Sequence, residues 1–171
     1  GAIGVTLAPG KHQLHAMTGH WMRDLDSDLS VIRAWGATHL VSLLEPWEYT
    51  ELSIEGLPER VVAYGLQWHS LPITDGAAPD QRFLGPWAQV GPALVRVLRS
   101  GGRIVVHCKG GLGRAGTVAC MLLLDCGVVS SAEAAMGRVR NARPGAIESL
   151  AQEEFICMWQ GRRSPPEQQA R

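Results

Sequence analysis

The 171-residue chain lacks net charge: sixteen basic and sixteen acidic side chains cancel. That balance gives no electrostatic case for a nucleic acid or a membrane surface as partner. Long hydrophobic runs are missing too. The most apolar stretch, Thr117 to Leu124, ends at Asp125 and Gly127, well short of a transmembrane helix. The opening residues carry no signal-peptide pattern. Cysteine is scarce, with four in the chain, too few to suggest a disulfide framework in a protein of this length. Cys120, Cys126 and Cys157 lie in apolar helical stretches and read as core residues. The expected compartment is therefore a reducing one, the cytoplasm. His12, His15 and His20 are irregularly spaced, with no cysteine or paired carboxylate to complete a metal site. No internal repeat is visible.

What is present is an ordinary globular composition, 46% apolar and 19% charged, in a chain long enough for one real core. A single domain over 1–163 is expected, with the Pro- and Gln-rich residues 164–171 as a disordered tail. Strands are expected at 3–7, 38–44, 67–71 and 103–106. Helices are expected at 24–35, 58–64, 81–99, 113–126, 130–141 and 149–162, and a loop from Glu45 to Tyr49. Alternating strands and helices predict an α/β fold whose central, mainly parallel sheet is flanked by helices.

The most informative stretch is His107-Cys108-Lys109-Gly110-Gly111-Leu112-Gly113-Arg114-Ala115-Gly116. It lies between a β-branched run and a long apolar helix. A strand-to-helix turn aims backbone N–H groups and the positive end of the helix dipole at one spot. Gly110, Gly111 and Gly113 are expected to take positive φ and let a dianion approach the backbone. Cys108 stands at the mouth of this phosphate-binding strand–loop–helix, where a thiol ionises readily. Arg114 offers a planar fork for two phosphoryl oxygens.

Expelling an alkoxide or phenoxide needs a proton donor. Asp75 and Asp80 follow the strand at 67–71, in a loop broken by Pro72, Gly76 and Pro79. Asp80 precedes a helix and reads as its N-cap. Asp75, beside Gly76, has no such local duty and is favoured as the acid. An Asp-Gly pair is also an ordinary turn.

The loop from His107 to Thr117 resembles the signature of the protein-tyrosine-phosphatase superfamily. The whole phrase is similar to the compact dual-specificity branch, near the kinase-associated and cell-division-cycle phosphatases, and the likeness extends from about Gly36 to Phe155. The resemblance implies Cys108 as nucleophile forming a phosphocysteine, Arg114 as phosphate clamp and His107 as a support that orients the loop. It implies no cofactor. Arg143-Pro144-Gly145 through Gln152 also resembles this branch, in which Gln152 would orient the hydrolytic water. Arg143 would touch either a phosphorylated substrate or a carboxylate of the fold. Ala115 departs from the pattern, because Ser or Thr usually follows the arginine and its hydroxyl helps the thiolate leave. Thr117 is expected to be turned away by the helix.

The implied activity is hydrolysis of phosphotyrosine and/or phosphoserine/threonine in a phosphorylated protein substrate. Lys109, if it points over the pocket, favours a phosphoinositide, inositol phosphate or RNA 5′ phosphate instead, although Leu112 stands where lipid phosphatases often carry a second lysine. Ala115 motivates a further alternative, a module that binds phosphoproteins without turnover. A rhodanese-like or arsenate-reducing loop is disfavoured by Asp75. Trp47 or Tyr49 can either stack on a phosphotyrosine ring or pack the domain edge.

Overall fold

The computed structural model describes residues 1–16 and 19–162. The expected tail, 164–171, lies outside the described residues. Four strands form one sheet: β1 (Ala2–Thr6), β4 (Ala37–Ser42), β5 (Gln67–Ser70) and β6 (Arg103–His107), in the order β1-β6-β4-β5. Every pairing in it is parallel, with Val106 level with Val5 on one side and Val41 on the other. β2 (His12–Ala16) and β3 (Gly19–Met22) form a separate antiparallel ribbon.

Alternation along the strands builds a core on each face. Ile104, Val106 and Val41 point into one, against Phe83, Trp87 and Leu94 of α4 (Gln81–Arg99) and Val118 and Met121 of α5 (Gly113–Cys126). Val105 and Leu40 point into the other, against Leu29 of α1 (Leu25–Ala34) and Leu57 and Val61 of α3 (Leu57–Ala63). A strand buried on both faces reads as a continuous apolar run, as β6 does. α6 (Ala132–Ala142) and α7 (Leu150–Gly161) pack on α5 through Ala135, Val139 and Ile156.

Two elements differ from expectation. The segment expected as a loop from Glu45 is a helix, α2 (Pro46–Glu51). Pro46 pre-sets its first turn, and Glu45 and Glu48 form a reciprocal capping box. The β2–β3 ribbon has no counterpart among the expected strands. Its residues are mostly exposed, so no buried apolar alternation marks it. There His12 Nε2 bonds the Arg23 carbonyl at 2.9 Å, and the His15 and His20 rings meet edge to face.

Because the sheet is parallel, β4, β5 and β6 all end on the same side. The segments that follow Ser42, Ser70 and His107 therefore converge there, the usual site of binding in such sheets. Short bonds lock that convergence: Leu43 N–H to His107 O, Leu71 N–H to Ser42 O and Ile73 N–H to Leu43 O, at 3.0, 2.9 and 3.1 Å.

Candidate active site

β6 delivers Cys108 to the rim of the core, and α5 starts five residues later. The carbonyls between them are gripped from outside. Lys109 O accepts from Lys11 Nζ at 3.4 Å. Gly110 O and Gly111 O accept from Arg143 Nη2 and Nε at 3.2 and 3.1 Å. In a trans peptide the next N–H points the opposite way, so those of Gly110, Gly111 and Leu112 face the inside of the loop. Among the described residues Arg143 pairs with no carboxylate; it braces the loop backbone.

Of the three loop glycines expected at positive φ, Gly111 alone takes it, at +68°. A Cβ there would also lie 2.4 Å from the Thr6 carbonyl carbon. Gly113 is the first residue of α5, and its constraint is space: a Cβ would meet Glu148 Oε2 at 2.5 Å and the Gln152 amide at 2.9 Å. Gly110 has open space around it.

Arg114 is 1% exposed. Glu48 meets it with both oxygens, Oε2 to Nη1 at 2.6 Å and Oε1 to Nη2 at 2.9 Å. Nη1 also donates to the carbonyls of Ile73 (3.1 Å) and Leu43 (3.4 Å). Burial alone would lower the Arg114 pKa; the Glu48 bonds and the nearby Cys108 outweigh it and raise the value. Nε is buried and has no partner among the described residues. Nη2 has one further neighbour, Asp75 Oδ1 at 3.1 Å. The Nε–Nη2 edge, the edge that grips two oxygens of one anion, is thus held open on one side and covered by a single carboxylate on the other. Glu48 itself escaped the sequence reading. Its one local signal is the capping-box spacing to Glu45 after a buried strand.

The two candidate acids separate cleanly. Asp80 caps α4, accepting from Arg82 N–H and Arg82 Nε, both at 2.9 Å. Asp75 occupies the second position of the turn Thr74–Ala77, closed by Ala77 N–H to Thr74 O at 3.0 Å, with Gly76 at φ +73°. Its side chain is 62% exposed and reaches Arg114. Arg82 ties this loop to α2 by donating to Thr74 Oγ1 (2.7 Å) and Glu45 Oε1 (3.0 Å).

Gln152 is fully buried behind the loop. Its Oε1 accepts from Glu148 N–H at 2.9 Å, and its Nε2 donates to Ala77 O at 3.4 Å, so it bridges the Asp75 turn to the segment after Arg143. Glu148 Oε2 accepts from Gly113 N–H at 2.8 Å. His107 is sealed from solvent, and burial pushes its pKa down to about 4. It is a neutral ring whose Nδ1 lies 3.5 Å from Cys108 O.

Lys109 does not reach over the loop; its Nζ bonds both Glu51 oxygens at 2.8 Å. Tyr49 packs inward, its hydroxyl 2.7 Å from Ser42 Oγ, while Trp47 stays exposed on α2. Thr117 Oγ1 donates to Gly113 O at 2.9 Å and so faces its own helix. Ala115 is buried in the core cluster that contains Cys108. Chemically, the site joins a thiol, inward N–H groups, an open guanidinium edge and an exposed carboxylate. Such a set can bind a phosphoryl dianion, attack it and protonate a leaving oxygen.

Comparison with known proteins agrees with this geometry. Mouse cyclin-dependent kinase inhibitor 3 is 27% identical over 135 residues, which cover 78% of this chain and 62% of the relative. The chain thus spans less than two thirds of that relative's length. The Leishmania major protein tyrosine phosphatase PRL-1 is 32% identical over 117 residues, 66% of this chain and 62% of that one. A kinase associated phosphatase with serine in place of its catalytic-site cysteine shares the fold at a TM-score of 0.81. It is 24% identical, with 94% of this chain and 86% of that chain covered. The active form of Tk-PTP superimposes at a TM-score of 0.67, with 25% identity over 91% and 99% of the two chains. The family model described as Swiss Army Knife protein, DSP-PTPase phosphatase domain, matches residues 15–156. That match runs from the β2–β3 ribbon into α7 and takes in the whole cysteine loop, so the chain belongs to the dual-specificity protein-tyrosine-phosphatase (DSP-PTPase) family.

Proposed function

We propose that this chain is a cysteine-dependent phosphatase of phosphotyrosine and/or phosphoserine/threonine in proteins. The single observation that carries the reading is the Arg114 guanidinium: buried, aimed by Glu48, and left with an Nε that has no partner among the described residues, beside the cysteine loop. A buried donor without a partner is costly, and a phosphoryl oxygen is the acceptor that fits this edge. The relatives, a cyclin-dependent kinase inhibitor and a protein tyrosine phosphatase, favour a protein substrate.

The steps follow from the positions. The phosphoryl group enters the loop, its oxygens on the inward N–H groups and the Nε–Nη2 edge of Arg114. That displaces Asp75 from Nη2. Freed from Arg114, Asp75 lies over the leaving oxygen and acts as the general acid. Cys108 Sγ attacks phosphorus, the bond to the substrate oxygen breaks, and Asp75 protonates that oxygen. Water then cleaves the S–P bond, with Asp75 as base, while Gln152 holds the Asp75 turn to the segment before α7 through Ala77 O and Glu148 N–H. No cofactor takes part. The thiolate must stay reduced, which suits a cytoplasmic setting. The phosphoinositide, inositol phosphate and RNA alternative loses its motive, since both Glu51 oxygens hold Lys109 at the rim.

The test is hydrolysis of p-nitrophenyl phosphate and of a phosphotyrosyl peptide by the intact chain, with the first turnover resolved. Steady turnover that Cys108→Ser abolishes is expected. Absence of both burst and turnover on the two substrates would overturn the reading, and a burst with no turnover would favour the binding module.

A further inference from the structure

The sequence Ala8-Pro9-Gly10-Lys11 joins β1 to β2. Lys11 N–H donates to Ala8 O at 3.2 Å, and Gly10 has φ +71°. Proline second and a positive-φ glycine third make the pattern of a type II turn. Arg23 N–H donates to Lys11 O at 3.1 Å, and Gly10 N–H to Asp28 Oδ2 at 2.9 Å. The backbone of Lys11 is therefore fixed on both sides.

Lys11 is 4% exposed, an unusual burial for lysine unless it is paired. Its Nζ donates to Lys109 O at 3.4 Å and stands 5.5 Å from the centre of the Trp21 ring. Among the described residues it forms no ion pair with a carboxylate. Burial and the like charge of Lys109 pull its pKa below the ordinary lysine value, against the pull of Cys108, Glu51 and Asp75.

Of the other charged groups around the cysteine loop, Arg143, just after α6, donates to Gly110 O and Gly111 O, and Glu148, just before α7, accepts from Gly113 N–H. Glu48 and Asp75 pair with Arg114 from α2 and the turn at 74–77. Glu51 pairs with Lys109. His107, from β6, is neutral. Lys11 thus adds, from the loop between β1 and β2, a buried positive charge with no carboxylate ion pair among the described residues, bonded to the residue next to Cys108. In a poorly solvated place such a charge acts strongly on its neighbours.

We propose that Lys11 is a positioning residue for the cysteine loop: it braces the Lys109 carbonyl from outside, and its charge holds the Cys108 sulfur as a thiolate. This rests on the phosphocysteine reading of the same site. Lys11 touches no substrate.

The test follows iodoacetamide alkylation of the Cys108 peptide by mass spectrometry across pH 5 to 9, in the parent chain, K11M, K11Q and K11R. Thermal melts establish which variants are folded. K11M keeps the length of the side chain and removes its charge. Its alkylation midpoint is expected to move to higher pH, with a rate about tenfold lower at pH 6 and an unchanged plateau at high pH. K11R is expected to restore the parent profile. If K11M does not fold, K11Q is read in the same way. A K11M profile that superimposes on the parent overturns the proposal. So does a uniform loss at every pH, which would mean packing alone. The shift without burst or turnover by the parent on either p-nitrophenyl phosphate or the phosphotyrosyl peptide would sink the phosphatase reading and leave the Lys11 assignment standing.

Discussion

Glu48 meets Arg114 end-on with both carboxylate oxygens, at 2.6 and 2.9 Å, and neither residue is reached by solvent. The pair fixes the plane of the guanidinium, and with it the direction of the open Nε edge. Removing one partner of a buried ion pair costs about 3–5 kcal/mol. Glu48→Gln is expected to lose about that much in denaturant unfolding. Its kcat/KM for p-nitrophenyl phosphate should fall by about 100-fold at a temperature where it is still folded. An unchanged kcat/KM in the folded variant would remove Glu48 from the positioning role.

Asp75 and Asp80 should part in opposite ways. Asp75→Asn is expected to lower kcat on a phosphotyrosyl peptide by about 10²–10⁴ and to flatten the basic limb of its pH profile, with little change in stability. Asp80→Ala should lose its cap on α4, about 1 kcal/mol, and keep the pH profile. A flattened limb in the Asp80 variant instead would reverse the assignment.

His107 makes stability depend on pH. Its folded value is about 4, against an ordinary 6.5. Between those values the unfolded chain binds a proton that the folded chain excludes, so stability falls as pH drops through this window. From pH 7 to pH 5 the loss is expected to be about 2 kcal/mol. Burial lowers His39 and His69 as well, and they add to the same slope. Urea titrations of the parent and His107→Gln at both pH values isolate the His107 share. Equal slopes would show that the ring is already protonated or not excluded from solvent.

Ala115 leaves the site without the hydroxyl that usually follows the arginine, and Thr117 cannot supply it because its Oγ1 is bonded to Gly113 O. Ala115→Ser is expected to raise steady-state turnover several-fold and leave the burst of the first turnover unchanged. A faster burst with the same steady rate would show that the hydroxyl acts on phosphoenzyme formation and would overturn its role in breakdown.

The sequence by itself determined the cysteine loop and the strand and helix that frame it, because those signals are local. A β-branched run, close-set glycines and an apolar helix announce themselves within twenty residues. The alternation of strands and helices along the chain was legible for the same reason, as was the capping of α4 by Asp80, since an N-cap is set by the residues after it. The β2–β3 ribbon and α2 were not legible: one has little buried face, and the other is six residues long behind a proline. Only the tertiary structure decided that Glu48 holds Arg114, 66 residues away, that Arg143 and Lys11 grip the loop from outside, and that Lys109 turns to Glu51. Local periodicity states which face of a segment is buried. It does not state which loops a parallel sheet gathers at one end, and there the choice falls to whichever charge leaves the fewest buried donors unpaired.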